Sequence, residues 1–227
     1  LIHDIVVQDL DILLAIDRAG IVGADGETHQ GIYDISFLRI LPKIVLMTPS
    51  DELEMWKMLS TGQNHKGLAA VRYPRGYSQG EDISLDHTTI EIGKARIIEK
   101  GSKIAYLVFG TLLNTVKKVV KKNGGTLVDM RFVKPIDENM IIDICNTHDY
   151  IFTVEDNVTL GGAGTAVNEV MIKHLLKNNL VNIGVPDKMI PHGSQDEILS
   201  ELGLDELGIE KITNDHIHNM VEMSSKK

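Results

Sequence analysis

The chain has 227 residues, 43% apolar and 24% charged, enough for one large domain or two small ones with a core that needs no staples. Its net charge of −9 and pI near 5.4 exclude a non-specific nucleic-acid binder, and its single cysteine, Cys145, excludes a disulfide framework or a thiolate metal cluster. No run of about 18 apolar residues offers a membrane span and no signal-peptide pattern opens the chain, so the cytoplasm is the expected compartment.

LIHDIVVQDL (1–10) is amphipathic but has no capping residue before it. It reads as the interior of a helix whose beginning lies upstream, so the chain is expected to be a piece of a longer protein. DILLAI (11–16) and KIVLM (43–47) are near-continuous apolar runs, the pattern of strands buried on both faces. Thr48-Pro49-Ser50-Asp51 opens a helix over 50–62, with Thr48 as its cap and Leu53, Trp56, Met58 and Leu59 inward. LAAVRY (68–73) is the next strand. Strand, helix, strand in this order predicts a parallel sheet.

GYSQGEDISLDHTTI (76–90) has turn residues and no period, which places a boundary there. The predicted organisation is a partial unit over 1–80, a linker over 81–90 and a second α/β unit over 91–227. In the second unit IEIGKARIIEKG and KIAYLVFG read as a strand pair turning at Lys100-Gly101. LLNTVKKVVKKNGG is a helix with Leu112, Leu113, Val116, Val119 and Val120 on one face, lysines on the other and Gly124 at its end. TLVDMRF is a strand, and Pro135-Ile136-Asp137 starts another helix. YIFTVED, the GGAG loop with its helix, VNIGVP and a helical tail from Ser194 complete the chain.

One stretch stands apart. DRAGIVGADGETHQG (17–31) places four glycines, three acids, Arg18 and His29 just after the strand 11–16. Ligands of open α/β sheets bind beyond the carboxyl ends of strands. Arg18, Asp25 and His29 lie past one such end, and Arg75 in VRYPRG lies past another. In an acidic protein, two arginines at two strand ends of one sheet point to an anionic ligand. The alternative on the residues alone is a flexible loop with solvated charges.

DRAGIVGADGETHQG, MTPSDE, VRYPRG, DMRFVKP and VEDN with GGAG, in this order and spacing, resemble the 1-deoxy-D-xylulose-5-phosphate synthase family of transketolase-like thiamine-diphosphate enzymes. The resemblance covers nearly the whole chain. It implies the rear of a pyrimidine-binding domain with a parallel sheet, followed by a transketolase C-terminal-like α/β domain. It implies a transferase that condenses pyruvate with D-glyceraldehyde 3-phosphate to 1-deoxy-D-xylulose 5-phosphate and CO2, a precursor of isoprenoids, thiamine and pyridoxal phosphate. It also implies thiamine diphosphate and Mg2+ as cofactors and a homodimer at full length. On the family pattern Arg18 and Arg75 clamp the acceptor's phosphate, because guanidinium forks suit phosphate oxygens. Asp25 and His29 carry catalysis, meeting the substrate's hydroxyl and carbonyl oxygens, with His29 able to pass protons near neutral pH. The family's Gly-Asp-Gly metal–diphosphate motif and its cofactor-activating glutamate have no counterpart in this sequence. No metal ligand is therefore assigned, and the 227 residues alone are expected to be inactive.

Other readings stay open at this point. A split transketolase half, which would share Asp25-Gly26-x-Thr28-His29, and a β-type subunit of a 2-oxo acid dehydrogenase are alternatives, but Arg18 and VRYPRG argue against both. A non-catalytic α/β assembly module could keep the loop by descent. GGAG (161–164) could pass for a phosphate loop, although it lacks the full G-x-G-x-x-G spacing, and a tight turn for helix packing is the better reading. The remaining histidines share no metal spacing, and Cys145 reads as a core thiol.

Overall fold

A computed structural model of the chain describes residues 1–76 and 87–225; the predicted linker at 81–90 falls outside them as far as residue 86. A single turn of π-helix over Ile2–Val6 stands where the amphipathic start predicted a longer helix. The chain then runs through β1 (Ile12–Ile16), α1 (Asp34–Leu38), β2 (Val45–Met47), α2 (Glu52–Asn64), β3 (Leu68–Arg72), β4 (Arg96–Glu99) and β5 (Lys103–Phe109). It continues through α3 (Leu113–Asn123), β6 (Thr126–Asp129), β7 (Phe132–Lys134), α4 (Glu138–Thr147), β8 (His148–Val158) and α5 (Ala163–Lys173). β9 (Asn179–Val185), α6 (Gln195–Glu201) and α7 (Glu206–Ser225) follow.

The mixed α/β class with parallel sheets is as expected. The first sheet has the order β1-β3-β2-β7, with β3 parallel to both β1 and β2. β3 is buried along its whole length, as the uninterrupted apolar run LAAV requires of a central strand. The second sheet has the order β4-β6-β5-β8-β9, parallel except for the edge strand β4. One apolar cluster runs through both, joining Leu46 and Ala70 of the first sheet to Leu107, Val128 and Ile151 of the second.

Three local expectations are corrected. The run at 96–109 is not a hairpin: β4 pairs with β6, and β6 separates it from β5. Gly101 makes this possible, because a Cβ there would lie 2.3 Å from the Gly125 backbone, so the link passes closely over the start of β6. TLVDMRF is two strands rather than one. Arg131 takes a positive φ of 60°, and Phe132–Lys134 turns away to pair antiparallel with β2 in the first sheet. The cap of α2 is Asp51, whose side chain accepts from the Glu54 N–H at 2.7 Å, while the Thr48 hydroxyl donates to the Arg131 carbonyl. The inward face of α2 also holds Glu54, fully buried, where Leu53, Trp56 and Leu59 are only partly covered.

The helix over 113–123 matches its reading. Leu113, Val116, Val119 and Val120 are buried, and Gly124 ends it at φ 79°. Asp137 caps α4, and Ser194 forms a reciprocal capping box with Glu197 at the start of α6. Cys145 is buried in α4, and burial pushes its thiol up to about 11, far from a reactive thiolate.

Candidate functional site

The loop after β1 is closed at its neck. Gly20 and Gly31 exchange two backbone hydrogen bonds, of 2.7 and 3.0 Å, and the Ala19 N–H donates to the Tyr73 carbonyl just past β3. A Cβ on Gly31 would meet the Arg18 carbonyl at 1.9 Å, so this approach needs glycine. Beyond the neck the loop lies against the second unit: the Gln195 side chain donates to the Ile21 carbonyl at 2.7 Å, and Gly23 packs against the backbone of 193–195. Within the loop, the Val22 N–H donates to Gln30.

On this loop the structure brings three of the four sequence-predicted residues together. Arg75, arriving from the end of β3, donates to Asp25 at 2.6 Å. Arg18 Nε lies 3.5 Å from the other Asp25 oxygen, and Arg18 also donates to Asp17. One carboxylate therefore touches both guanidinium groups. Asp25 is thus paired with the arginines, a role the sequence reading did not give it. His29 stands apart from this cluster. It is exposed, ends a turn of 3₁₀ helix at Glu27–His29, and its Nδ1 lies 2.9 Å from the Thr28 hydroxyl. Arg75 also lines a cleft of ≈650 Å³, walled by Pro49 and Asp51 from the first unit and by Thr111, Asn114 and Gln195 from the second.

Two buried charge networks join the first sheet's elements to the second's. Arg72, the last residue of β3, donates to Asp34 at 2.7 Å, to Asp156 at 2.5 Å and to the Gly31 carbonyl at 2.9 Å. These two carboxylates hold its guanidinium charged against the cost of burial. In the second network Arg96 and Arg131 of the second unit meet buried Glu54, at 3.0 and 2.7 Å, and Arg96 meets Asp129 at 2.9 Å. Burial raises the Asp129 carboxyl, and the Arg96 charge opposes that rise. The sequence reading missed both networks. Their signal was present as charges inside or ending apolar runs: Arg72 closing LAAV, Asp129 in TLVD, Asp156 in YIFTVED.

The GGAG loop is filled by the protein itself. The Glu155 carboxylate accepts from the Ala163 and Gly164 N–H groups, both at 2.8 Å, at the N-terminus of α5. A Cβ on Gly162 would lie 2.4 Å from that carboxylate, so glycine there serves this approach. The amides a phosphate would use are taken. Among the described residues no three His, Cys, Asp or Glu side chains are placed to hold a metal ion. The described residues thus do not fit the metal–diphosphate end of a thiamine cofactor.

Fold and site together define an α/β protein of two docked, mainly parallel sheets, with its polar loops at the strand ends of the first. Residues 1–79 match the pyrimidine binding domain of transketolase and residues 93–209 match the transketolase C-terminal domain; the chain belongs to the transketolase family. Among curated relatives it is 50% identical over 96% of its length to the 1-deoxy-D-xylulose-5-phosphate synthase of Vibrio campbellii, and 51% identical over 96% to that of Idiomarina loihiensis. The chain spans only 35% of each of these relatives. Among solved structures, a split-gene transketolase described as an inactive β4 tetramer superimposes with a TM-score of 0.83 at 23% identity, covering 93% of this chain and 68% of that one. A transketolase from Campylobacter jejuni subsp. jejuni superimposes with a TM-score of 0.65 at 16% identity, over 89% of this chain and 31% of that one. These two likenesses show the fold. Among the described residues no helix is long and apolar enough to cross a membrane.

Proposed function

We propose that the chain forms the acceptor-binding part of a thiamine-diphosphate- and Mg2+-dependent 1-deoxy-D-xylulose-5-phosphate synthase, a cytoplasmic homodimer. Its units are a partial pyrimidine-binding domain at 1–80 and a C-terminal domain at 91–227. The observation that carries this reading is the 50% identity to curated synthases over 96% of the chain, against 23% and 16% to the two transketolases. The reaction joins pyruvate to D-glyceraldehyde 3-phosphate with loss of CO2. Thiamine diphosphate, when bound, supplies the carbanion chemistry.

This chain's residues bind and orient the acceptor. Arg18 and Arg75 grip its phosphate. Their shared contact with Asp25 supports this, since two guanidinium groups that reach one carboxylate can reach one phosphate. Asp25 and His29 then lie on the loop beside the acceptor's oxygens, where a histidine can hand over a proton as the new carbon–carbon bond forms. The homodimer reading is supported by an apolar strip. Tyr33, Phe37 and Ile40 follow one another at helical spacing on and beside α1 and remain exposed, with Met189 next to Tyr33.

The test is an assay of the complete protein carrying this sequence, supplied with thiamine diphosphate and Mg2+. Pyruvate and D-glyceraldehyde 3-phosphate should yield 1-deoxy-D-xylulose 5-phosphate and CO2. Transfer between ketose and aldose phosphates, with no use of pyruvate, would overturn the reading in favour of a transketolase.

A further inference from the structure

We infer that Arg72 and Asp156 are positioning residues that set the spacing between Arg18 and Arg75, and with it the preference for a phosphorylated acceptor. The inference rests on the reading of Arg18 and Arg75 as a phosphate clamp.

The clamp's two halves come from different segments, so something must fix one against the other. Arg18 lies just outside the Gly20–Gly31 neck of its loop, at a positive φ of 58°. Arg75 lies three residues beyond Arg72 on the chain leaving β3. Arg72 is the joint between them. Each of its three guanidinium nitrogens makes a bond: Nη2 holds the Gly31 carbonyl at the neck, Nε holds Asp34 at the start of α1, and Nη1 holds Asp156 of β8. A planar guanidinium fork presents these donors at fixed angles, so it transmits position rather than charge alone.

Asp156 abuts the neck from its other side. A Cβ on Gly20 would lie 2.3 Å from its Oδ2, so no side chain fits between this carboxylate and the loop. Asp156 belongs to the second unit and Arg72 to the first. The geometry of the clamp thus depends on how the second unit seats against the first, which gives the C-terminal domain a part in acceptor choice without contact to the acceptor. Both side chains are buried, and neither lies within the Arg18–Asp25–Arg75 cluster.

The experiment compares Arg72→Lys and Asp156→Asn with the wild type in the complete protein. It reads the ratio of kcat/KM for D-glyceraldehyde 3-phosphate to kcat/KM for unphosphorylated glyceraldehyde. That ratio does not depend on the fraction of folded enzyme, so a destabilised variant still reports. Lysine keeps the charge of Arg72 but not the fork, and asparagine keeps the shape of Asp156 but not the charge. Misplacing one arginine of the clamp should lower the ratio by roughly tenfold to a hundredfold in both variants. An unchanged ratio beside a lowered melting temperature means that the pair only supports the fold, and overturns the inference. A wild type that condenses neither acceptor overturns the function proposed above instead.

Discussion

Arg18, Asp25 and Arg75 illustrate what single residues disclose. Each was legible in the sequence because strand ends of an open sheet are where ligands bind, and a charge there stands out from the apolar run before it. What the sequence could not supply is the pairing, since the 2.6 Å bond between Arg75 and Asp25 joins residues from two separate strand ends. Arg72 was hidden for the opposite reason. It looks like the polar end of a strand, and only the fold brings it Asp34 and Asp156 as buried partners. His29 is the residue whose role the geometry leaves most dependent on chemistry, because it is exposed and off the arginine cluster. As a proton-transfer group it should matter to kcat: His29→Ala in the complete protein lowers kcat by roughly 10²-fold or more, measured under saturating substrates. An unchanged kcat with a raised KM would place His29 in binding.

At the scale of elements, periodicity and caps located most helices and strands, and failed where two distant segments compete for one edge. α3 followed its apolar face because the pattern is local. The predicted hairpin failed because β6, later in the chain, takes the position beside β5. β7 left the expected strand because the first sheet offers β2 an open edge that Phe132–Lys134 can fill. At the start of α5 the Glu155 carboxylate accepts from the Ala163 and Gly164 N–H groups, a contact the sequence reading of GGAG as a tight turn did not include. Burial raises that carboxyl to about 7 even though two backbone amides favour its charge. A raised carboxyl holds its proton longer in the folded state than in the unfolded one. Its contribution to stability therefore falls as pH rises from the unfolded value near 4.5 to about 7, and is level above that. Glu155→Gln should remove that slope: the urea midpoint of the wild type falls relative to the variant between about pH 5 and 7. Parallel midpoints would show that Glu155 titrates normally.

At the scale of the whole molecule, the two units act as one body around the site. A shared apolar cluster, the exchanged strand β7 and two buried charge networks cross between them. The sequence reading placed a boundary in the turn-rich stretch 76–90, but did not show that β7 completes the first sheet, or that Gln195 walls the cleft at Arg75 and seats the loop. Such contacts join residues far apart in the chain, and no local pattern encodes them. Arg18 and Arg75, the proposed phosphate clamp, reach the shared Asp25 carboxylate only within this assembly. A hydrogen bond to a charged group contributes about 1.5–3 kcal/mol, so Arg18→Ala or Arg75→Ala should each weaken kcat/KM for D-glyceraldehyde 3-phosphate by roughly 10- to 150-fold. The most direct measurement is a double-mutant cycle on the complete protein, run with this acceptor and with glyceraldehyde. A phosphate clamp gives large single losses that do not add in the double variant, seen only with the phosphorylated acceptor, and little change in the KM for pyruvate. Equal losses for both acceptors would contradict it, and would leave the two arginines holding the loop instead of the phosphate.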